Sequence, residues 1–125
     1  MKITCGVDII EIERIKDSIE ELGEKFLKRV FTKKEIEYCE SKKTQKYQHY
    51  AARFAAKEAA FKAVSKQLDD KYSVCWQDFE VLNDKQGRPQ INILNINTEN
   101  IESIDISISH CKLYATANVT ILYKY

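Results

Sequence analysis

Hydrophobic residues recur at helical spacing in the first part of the chain. Four of them lie three or four residues apart and predict an amphipathic helix whose apolar stripe faces a core: Ile12, Ile15, Ile19 and Leu22. Gly23 is expected to end this helix, and a short strand is predicted before it, over residues 3–9. A second short helix is predicted over residues 25–30.

The next helix has a complete start signal. Thr32 is followed three residues later by Glu35, the spacing of a capping box in which the hydroxyl and the carboxylate each accept a backbone N–H. We therefore expect a helix from Lys33 to Lys42 and a polar loop over residues 41–48.

Residues 48–67 form the strongest helical pattern in the chain. The segment is rich in alanine and apolar almost all round, which is typical of a buried helix. Burying a charge is costly unless it is paired or bound to an ion. Four charged residues on this helix therefore need partners: Arg53, Lys57, Glu58 and Lys62.

The second half of the chain alternates apolar and polar residues as strands do. Strands are predicted over residues 76–83, 90–96, 104–109 and 114–123, with turns at 84–87 and 110–113. Helices followed by a three- or four-stranded antiparallel meander predict a single α+β domain over residues 1–125. Its N-terminal strand and helices are expected to pack on one face of an antiparallel sheet.

Composition excludes several function classes. A net charge of +1 argues against a general nucleic-acid binder, and no apolar run is long enough to cross a membrane. The first residues lack a signal-peptide core, so we expect a cytoplasmic protein. The four cysteines are widely spaced without a CxxC pair, and we expect reduced thiols that lie mostly in or near the core.

The basic residues are unevenly distributed. Residues 25–34 contain five lysines or arginines and no acidic residue. Such a segment is either a solvated helical face or a docking surface for an acidic partner.

Three charged residues are candidates for a reaction centre, and each has a plain structural alternative. Asp8 stands where a helix N-cap is expected, with Glu11 three residues later, or it is a metal ligand at the end of a strand. Glu58 and Lys62 are spaced for an intrahelical ion pair, or they bind a divalent cation and a phosphate. Two carboxylates beside a lysine suit Mg²⁺ and phosphoryl-type transfer. His110 is either a structural residue or a contact to phosphate or to metal-bound water.

Several segments together resemble the holo-acyl-carrier-protein synthase family, the small phosphopantetheinyl transferases. The resemblance rests on Gly6-Val-Asp8-Ile with Arg14 downstream, Arg29-Val-Phe-Thr-x-x-Glu35, Arg53-Phe-Ala-Ala-Lys57-Glu58-Ala-Ala-Phe-Lys62-Ala, Gly87-Arg-Pro89 and Ser107-Ile-Ser-His110. Each piece is common alone, but the combination is specific and extends along nearly the whole chain.

The resemblance implies an activity and an assembly. Members of this family transfer the 4′-phosphopantetheine arm of coenzyme A to a serine of apo-acyl carrier protein, for fatty acid biosynthesis, and release adenosine 3′,5′-bisphosphate. They are magnesium-dependent homotrimers with active sites at the subunit interfaces.

The resemblance also implies roles for single residues. Asp8 and Glu58 match the positions that hold magnesium, and Lys62 matches a contact to coenzyme A phosphate. Further positions are expected to bind the donor: Arg53, Ser65, Pro89 and His110. The expected docking residues for the carrier protein are Arg14, Lys25, Phe26, Lys28 and Arg29.

One segment departs from the family pattern. Residues 65–75 contain no glycine, whereas similar proteins have a glycine-containing loop after this helix. Two other functions also fit the residues alone: a noncatalytic α+β module that binds acidic proteins through residues 25–34, and a purely structural role for Asp8, Glu58 and Lys62.

Overall fold

The computed structural model describes residues 1–65, 67–68 and 74–125. Its elements follow the predicted order, with helices between an N-terminal strand and four C-terminal strands. They are β1 (Lys2–Glu11), α1 (Ile12–Leu22), α2 (Glu24–Val30), α3 (Lys33–Glu40), a 3₁₀ turn (Lys43–Gln45), α4 (Lys46–Ser65), a second 3₁₀ turn (Trp76–Asp78), β2 (Phe79–Asn83), β3 (Pro89–Ile93), β4 (Ile101–His110) and β5 (Tyr114–Tyr123).

Local signals define the helix ends closely. Gly23 adopts a positive φ of 61° where α1 ends, a conformation that suits glycine. The capping box of α3 is present, because Thr32 N donates to Glu35 Oε1 at 2.8 Å and Glu35 N donates to Thr32 Oγ1 at 3.3 Å. Leu22, predicted to face the core, is instead 50% exposed, since it lies in the last turn of α1.

The loop predicted over residues 41–48 is wrong in its last residues, which belong to a helix. α3 ends at Glu40, and α4 already begins at Lys46 after one 3₁₀ turn. Two contacts extend α4 backwards: Lys46 Nζ lies 3.3 Å from a Glu40 carboxylate oxygen, and Tyr50 Oη donates to the other at 2.6 Å. These side-chain contacts to the end of α3 accompany a helix where the polar composition predicted a loop.

The strands form two ladders rather than one meander. β1, β5 and β4 form a three-stranded antiparallel sheet in that order, and β2 and β3 form a separate hairpin. The predicted strand over 76–83 is also shorter, because its first three residues form a 3₁₀ turn. Alternation predicts that a segment is a strand, but the partner is chosen by packing and register.

α4 is the centre of the molecule, as its apolar sequence predicts. One part packs against both ladders through Ala55, Ala59 and Ala63, and another part packs against α1 and α3 through Tyr50, Ala51 and Ala52. On β5 the inward residues alternate as expected: Ala115, Ala117, Val119 and Ile121 are buried. Helices therefore cover one face of the three-stranded sheet, which confirms the α+β class.

The cysteines are free thiols, but their predicted burial is wrong for three of the four. Only Cys39 lies in the core, whereas Cys5, Cys75 and Cys111 are exposed. Cys5 is on the outer side of β1, where alternation places every second residue away from α4. No helix in the described part of the chain is long and apolar enough to cross a membrane.

Candidate active site

Gly6 allows β1 to lie directly on α4. A Cβ atom at this position would be 2.0 Å from the carbonyl oxygen of Ala59 and 2.9 Å from Cβ of Lys62. The nearest of these atoms belongs to the backbone, so it cannot turn away as a side chain would. The missing side chain therefore sets the distance between this strand and this helix.

This close approach brings Asp8 and Lys62 together. Lys62 Nζ lies 3.4 Å from Asp8 Oδ1 and donates to the carbonyl oxygen of Val7 at 2.9 Å. The Asp8 side chain is 18% exposed and that of Lys62 53%. The pair thus lies at the surface, where a ligand can reach it.

Asp8 is not a helix cap. It lies within β1, opposite Ala117 of β5, and the N-cap of α1 is Glu11, whose side chain makes no capping hydrogen bond. β1 runs three residues further than Asp8, because its pairing with β5 continues to Glu11. The structural alternative for Asp8 is therefore wrong, and its carboxylate faces Lys62 instead of backbone N–H groups.

Glu58 lies one turn before Lys62 on α4, about 6 Å along the helix axis. Its Oε1 accepts a hydrogen bond from Trp76 Nε1 at 2.9 Å. The alternative ion pair between Glu58 and Lys62 is not formed, since the carboxylate partner of Lys62 is Asp8. The structure thus brings Asp8 and Lys62 together at the junction of β1 and α4, while Glu58, one helical turn away on α4, is hydrogen-bonded to Trp76.

The donor set at this junction fits magnesium. The described residues contain no group of three or more histidine, cysteine, aspartate or glutamate side chains that could enclose a metal ion. Mg²⁺ commonly takes one or two carboxylates and completes its shell with water and substrate phosphate oxygens. Asp8 and Glu58 supply that number of oxygen ligands, so they suit an ion that binds together with a phosphate compound.

A cavity of about 430 Å³ opens beside Glu58. Its described walls are mainly apolar: Lys57, Glu58, Phe61, Val74, Cys75, Trp76 and Phe79. This space could hold part of a ligand whose charged end lies at Glu58.

The other predicted donor-binding residues lie apart from this junction. His110 ends β4 and is exposed, with its ring 6.3 Å from that of His49. Pro89 begins β3 and lines a groove of about 320 Å³ that also touches β4. Among hydrogen bonds of the described residues, none joins His110, Pro89 or Arg53 to the Asp8–Lys62 pair.

Arg53 and Ser65 make local contacts. Arg53 is only 3% exposed, and its Nη2 donates to Asn83 Oδ1 at 2.8 Å. Its guanidinium carbon also lies 4.0 Å from the centre of the Tyr38 ring. Ser65 ends α4, and its hydroxyl donates to the carbonyl oxygen of Lys62 at 3.0 Å. The glycine-free loop that follows lies partly outside the described residues.

Lys57 is a buried residue whose partner sequence reasoning missed. Its ammonium lies 2.6 Å from Glu35 Oε1, and both side chains are fully buried. Burial lowers the pKa of Lys57, while the Glu35 carboxylate raises it. The sequence signals were a lysine on an apolar helix and the Glu35 capping position, but nothing local indicated that the two meet.

The segment from Lys25 to Lys34 presents its charges to solvent. All five basic residues are exposed, and Arg14 on α1 is exposed as well. Lys28 pairs with Glu24 at 3.5 Å, but both side chains are more than 70% exposed, so this pair is weak. Phe26 is half-buried, with its ring edge-on to Phe31 at 6.2 Å. The surface formed by Lys25, Lys28, Arg29, Lys33 and Lys34 is hereafter the basic surface.

Comparison with known proteins gives one consistent family. Residues 4–119 match the model of the 4′-phosphopantetheinyl transferase superfamily. The chain belongs to this superfamily. A holo-[acyl-carrier-protein] synthase of Ruminiclostridium cellulolyticum is 44% identical over 97% of this chain and 92% of its own length. That of Protochlamydia amoebophila is 46% identical over 94% and 95% of the two chains.

Solved structures of superfamily members have the same fold. The Helicobacter pylori holo-[acyl-carrier-protein] synthase in complex with coenzyme A superposes with a TM-score of 0.82 at 30% identity, covering 94% of this chain and 99% of that one. The synthase–coenzyme A complex described as from Chronobacterium ammoniagenes has a TM-score of 0.82 at 28% identity over the full length of both chains. The family and the fold implied by the sequence motifs are thereby confirmed.

Proposed function

We propose that this chain is a holo-[acyl-carrier-protein] synthase. It transfers the 4′-phosphopantetheine group of coenzyme A to a serine of apo-acyl carrier protein and forms adenosine 3′,5′-bisphosphate, in fatty acid biosynthesis. The observation that carries the proposal is the meeting of Asp8 and Lys62 across the Gly6 contact, with Glu58 one helical turn away. We place the protein in the cytoplasm, where its four free thiols would stay reduced.

Asp8 and Glu58 would hold Mg²⁺ at the diphosphate of coenzyme A. The ion supplies charge neutralisation at the reacting phosphates. The residues of the chain hold the donor and align its β-phosphorus with the serine hydroxyl of the carrier, which attacks in line with the leaving oxygen.

Lys62 would bind a phosphate oxygen of the donor. An ammonium group has three N–H donors, and two acceptors already face it, Asp8 and the carbonyl oxygen of Val7. The remaining donor is available because half of the side chain is exposed. A positive charge at this place stabilises the negative charge that develops on the phosphate during transfer.

The outer face of β1 supports assembly of several copies. Three apolar side chains on this face are more than half exposed: Ile3, Val7 and Ile9. Contiguous apolar surface of this kind marks interaction sites in proteins of this size. We propose that a homotrimer covers this face and that donor-binding residues such as His110 and Pro89 complete the site of a neighbouring copy.

The trimer has a direct test in solution. Light scattering coupled to gel filtration should give three copies for the unaltered chain, and Ile9→Lys should lower both the mass and the transfer activity. Thr44→Lys adds the same charge to an exposed position in the 3₁₀ turn between α3 and α4, on the helical side of the protein, and should change neither. A monomeric unaltered chain with full activity would contradict the proposed assembly.

The basic surface would dock the acidic carrier, together with Arg14 and Phe26. Charge reversal by Arg29→Glu should raise KM for the carrier and weaken its dependence on salt, while kcat stays near its original value. Lys85→Glu is the matched control, because Lys85 is exposed in the turn between β2 and β3, away from this surface. Equal effects of the two reversals would contradict docking at this site.

Transfer itself is measured as a mass increase of apo-acyl carrier protein by one phosphopantetheine group, with coenzyme A and Mg²⁺ present. Asp8→Ala and Lys62→Met should each lower the rate by about 10²–10³-fold, as expected for losing one electrostatic contact to the transition state. A correctly folded chain that modifies no carrier would refute the proposal. Carrier binding that is unaffected by Asp8→Ala and needs no Mg²⁺ would instead favour the noncatalytic binding module.

A further inference from the structure

We propose that Trp76 is a positioning residue that orients the carboxylate of Glu58 for metal binding. The proposal rests on the proposed function, since it assigns a task to a neighbour of one proposed magnesium ligand. It is carried by the hydrogen bond from Trp76 Nε1 to Glu58 Oε1 and by the contacts that hold Trp76 in place.

The hydrogen bond distinguishes the two oxygens of Glu58. The distance from Trp76 Nε1 to Oε1 is 2.9 Å, and an indole N–H can only donate. Oε1 is therefore directed towards the ring of Trp76, which leaves Oε2 as the oxygen for a cation. A carboxylate on a flexible side chain is thereby restricted to one orientation.

The backbone of Trp76 is held by the residue next to Glu58. Lys57 Nζ donates to the carbonyl oxygen of Trp76 at 3.1 Å and also to that of Phe79. Lys57 cannot move away, because its ammonium is fully buried against Glu35 at 2.6 Å. Two consecutive residues of α4 thus hold Trp76, one through its backbone and one through its indole nitrogen.

Two further contacts fix the direction of the indole ring. The 3₁₀ turn that begins at Trp76 is closed by Cys75 N donating to Asp78 Oδ2 at 2.8 Å and by Asp78 N donating to the carbonyl oxygen of Cys75 at 3.0 Å. On the other side, the ring packs against Phe54 with centroids 6.0 Å apart. The donor atom is therefore held rigidly at both its backbone and its ring.

A rigid donor next to a metal ligand has a measurable effect. Partners that hydrogen-bond to ligating carboxylates orient them, and losing one such partner commonly costs 10–100-fold in metal affinity or activity. Trp76 should therefore strengthen magnesium binding through its hydrogen bond to Glu58.

Trp76→Phe removes the N–H donor and keeps an aromatic ring against Phe54. We expect the Mg²⁺ concentration for half-maximal transfer to rise about 10–100-fold, with kcat nearly unchanged at saturating Mg²⁺. Calorimetric titration of Mg²⁺ into the protein with coenzyme A should show the same loss of affinity. Phe54→Leu loosens the ring contact but keeps the hydrogen bond, so it should reduce Mg²⁺ affinity less than Trp76→Phe does, and an equal or larger loss would overturn the role of the indole N–H.

Fluorescence gives a second readout that does not depend on activity, with circular dichroism used to show that the variant is folded. Trp76 is the only tryptophan of the chain, so its emission reports this site alone. Emission should respond to Mg²⁺ with coenzyme A in the unaltered protein, and Glu58→Ala should shift the emission maximum and abolish the response.

The outcomes separate the two proposals. Unchanged Mg²⁺ affinity in folded Trp76→Phe, or identical emission in the unaltered protein and Glu58→Ala, would overturn the role of Trp76 while leaving the transferase function intact. An unaltered protein that transfers nothing to a carrier, yet shows the expected emission changes, would overturn the function and retain the contact between Trp76 and Glu58.

Discussion

Replacing Glu35 by glutamine should destabilise the folded state more than almost any other single isosteric substitution in this chain. Glu35 has no exposed surface, and its carboxylate accepts from Lys57, Thr32 N and Val81 N at 2.6–2.8 Å. It therefore joins three elements, α3, α4 and β2. Lys57 in turn directs its ammonium at Glu35 and at two backbone carbonyl oxygens, those of Trp76 and Phe79.

The size of the effect follows from this burial. Glu35→Gln keeps the shape and removes the negative charge, so the ammonium of Lys57 remains buried without the carboxylate that it contacts directly. Removing one partner of a buried pair costs about 3–5 kcal/mol, compared with about 5–15 kcal/mol for the total stability of a typical domain. For a chain of this length, that loss lowers Tm by roughly 10–20 °C.

Urea denaturation followed by circular dichroism measures this cost. Glu24→Gln is the matched control, because Glu24 pairs with Lys28 on the surface and such pairs contribute about 0.5 kcal/mol or less. The double variant Glu35→Gln with Lys57→Met should lose less stability than the sum of the two single changes, since neither charge is then left alone. If Glu35→Gln costs no more than Glu24→Gln, the reasoning about buried charge is refuted.

Three further predictions concern other parts of the fold. Gly6→Ala should lower the free energy of unfolding by about 1–3 kcal/mol and slow transfer, because the added Cβ would push β1 away from α4. Cys5→Ala, on the exposed side of the same strand, should change neither stability nor transfer rate. Equal melting temperatures for the two variants would contradict the close approach. Burial lowers the pKa of His49, helped by nearby positive charges. The unfolded state therefore binds protons more readily below pH 6.5, and stability falls as pH drops through that range. The urea midpoint of His49→Phe should fall less with decreasing pH than that of the unaltered protein, and parallel pH profiles for the two would count against this cause. Burial also raises the pKa of the Cys39 thiol to about 12, so a thiol reagent should modify the exposed Cys75 and Cys111 rapidly and Cys39 only on unfolding. Rapid modification of Cys39 in the folded protein would contradict its burial.

The local features of the fold could be predicted from sequence because they depend on neighbouring residues. The capping box at Thr32 needs only its own helix, and so does the stop at Gly23. The alternation over residues 114–123 gave β5 with its correct inward face. The pairing of strands could not be predicted this way, and the expected meander is in fact two separate ladders.

The candidate site shows the same division. Sequence motifs selected Asp8, Glu58 and Lys62, but each had a structural alternative that local reasoning could not remove. Only the contact of β1 with α4 showed that Asp8 faces Lys62 and caps no helix. The contacts of Trp76 and Lys57 were missed, because their partners are 18 and more residues away along the chain.

The sequence alone determined the family, the order of helices and strands, the burial of α4 and the identity of the charged candidates, since these depend on composition and short spacings. Only the tertiary structure decided which charges meet. An ion pair such as Lys57–Glu35, or a bond such as Trp76–Glu58, depends on how separate elements pack in three dimensions. Gly6 connects the two levels: its place in a short motif is visible in the sequence, while the backbone of Ala59 against it is visible only in the fold.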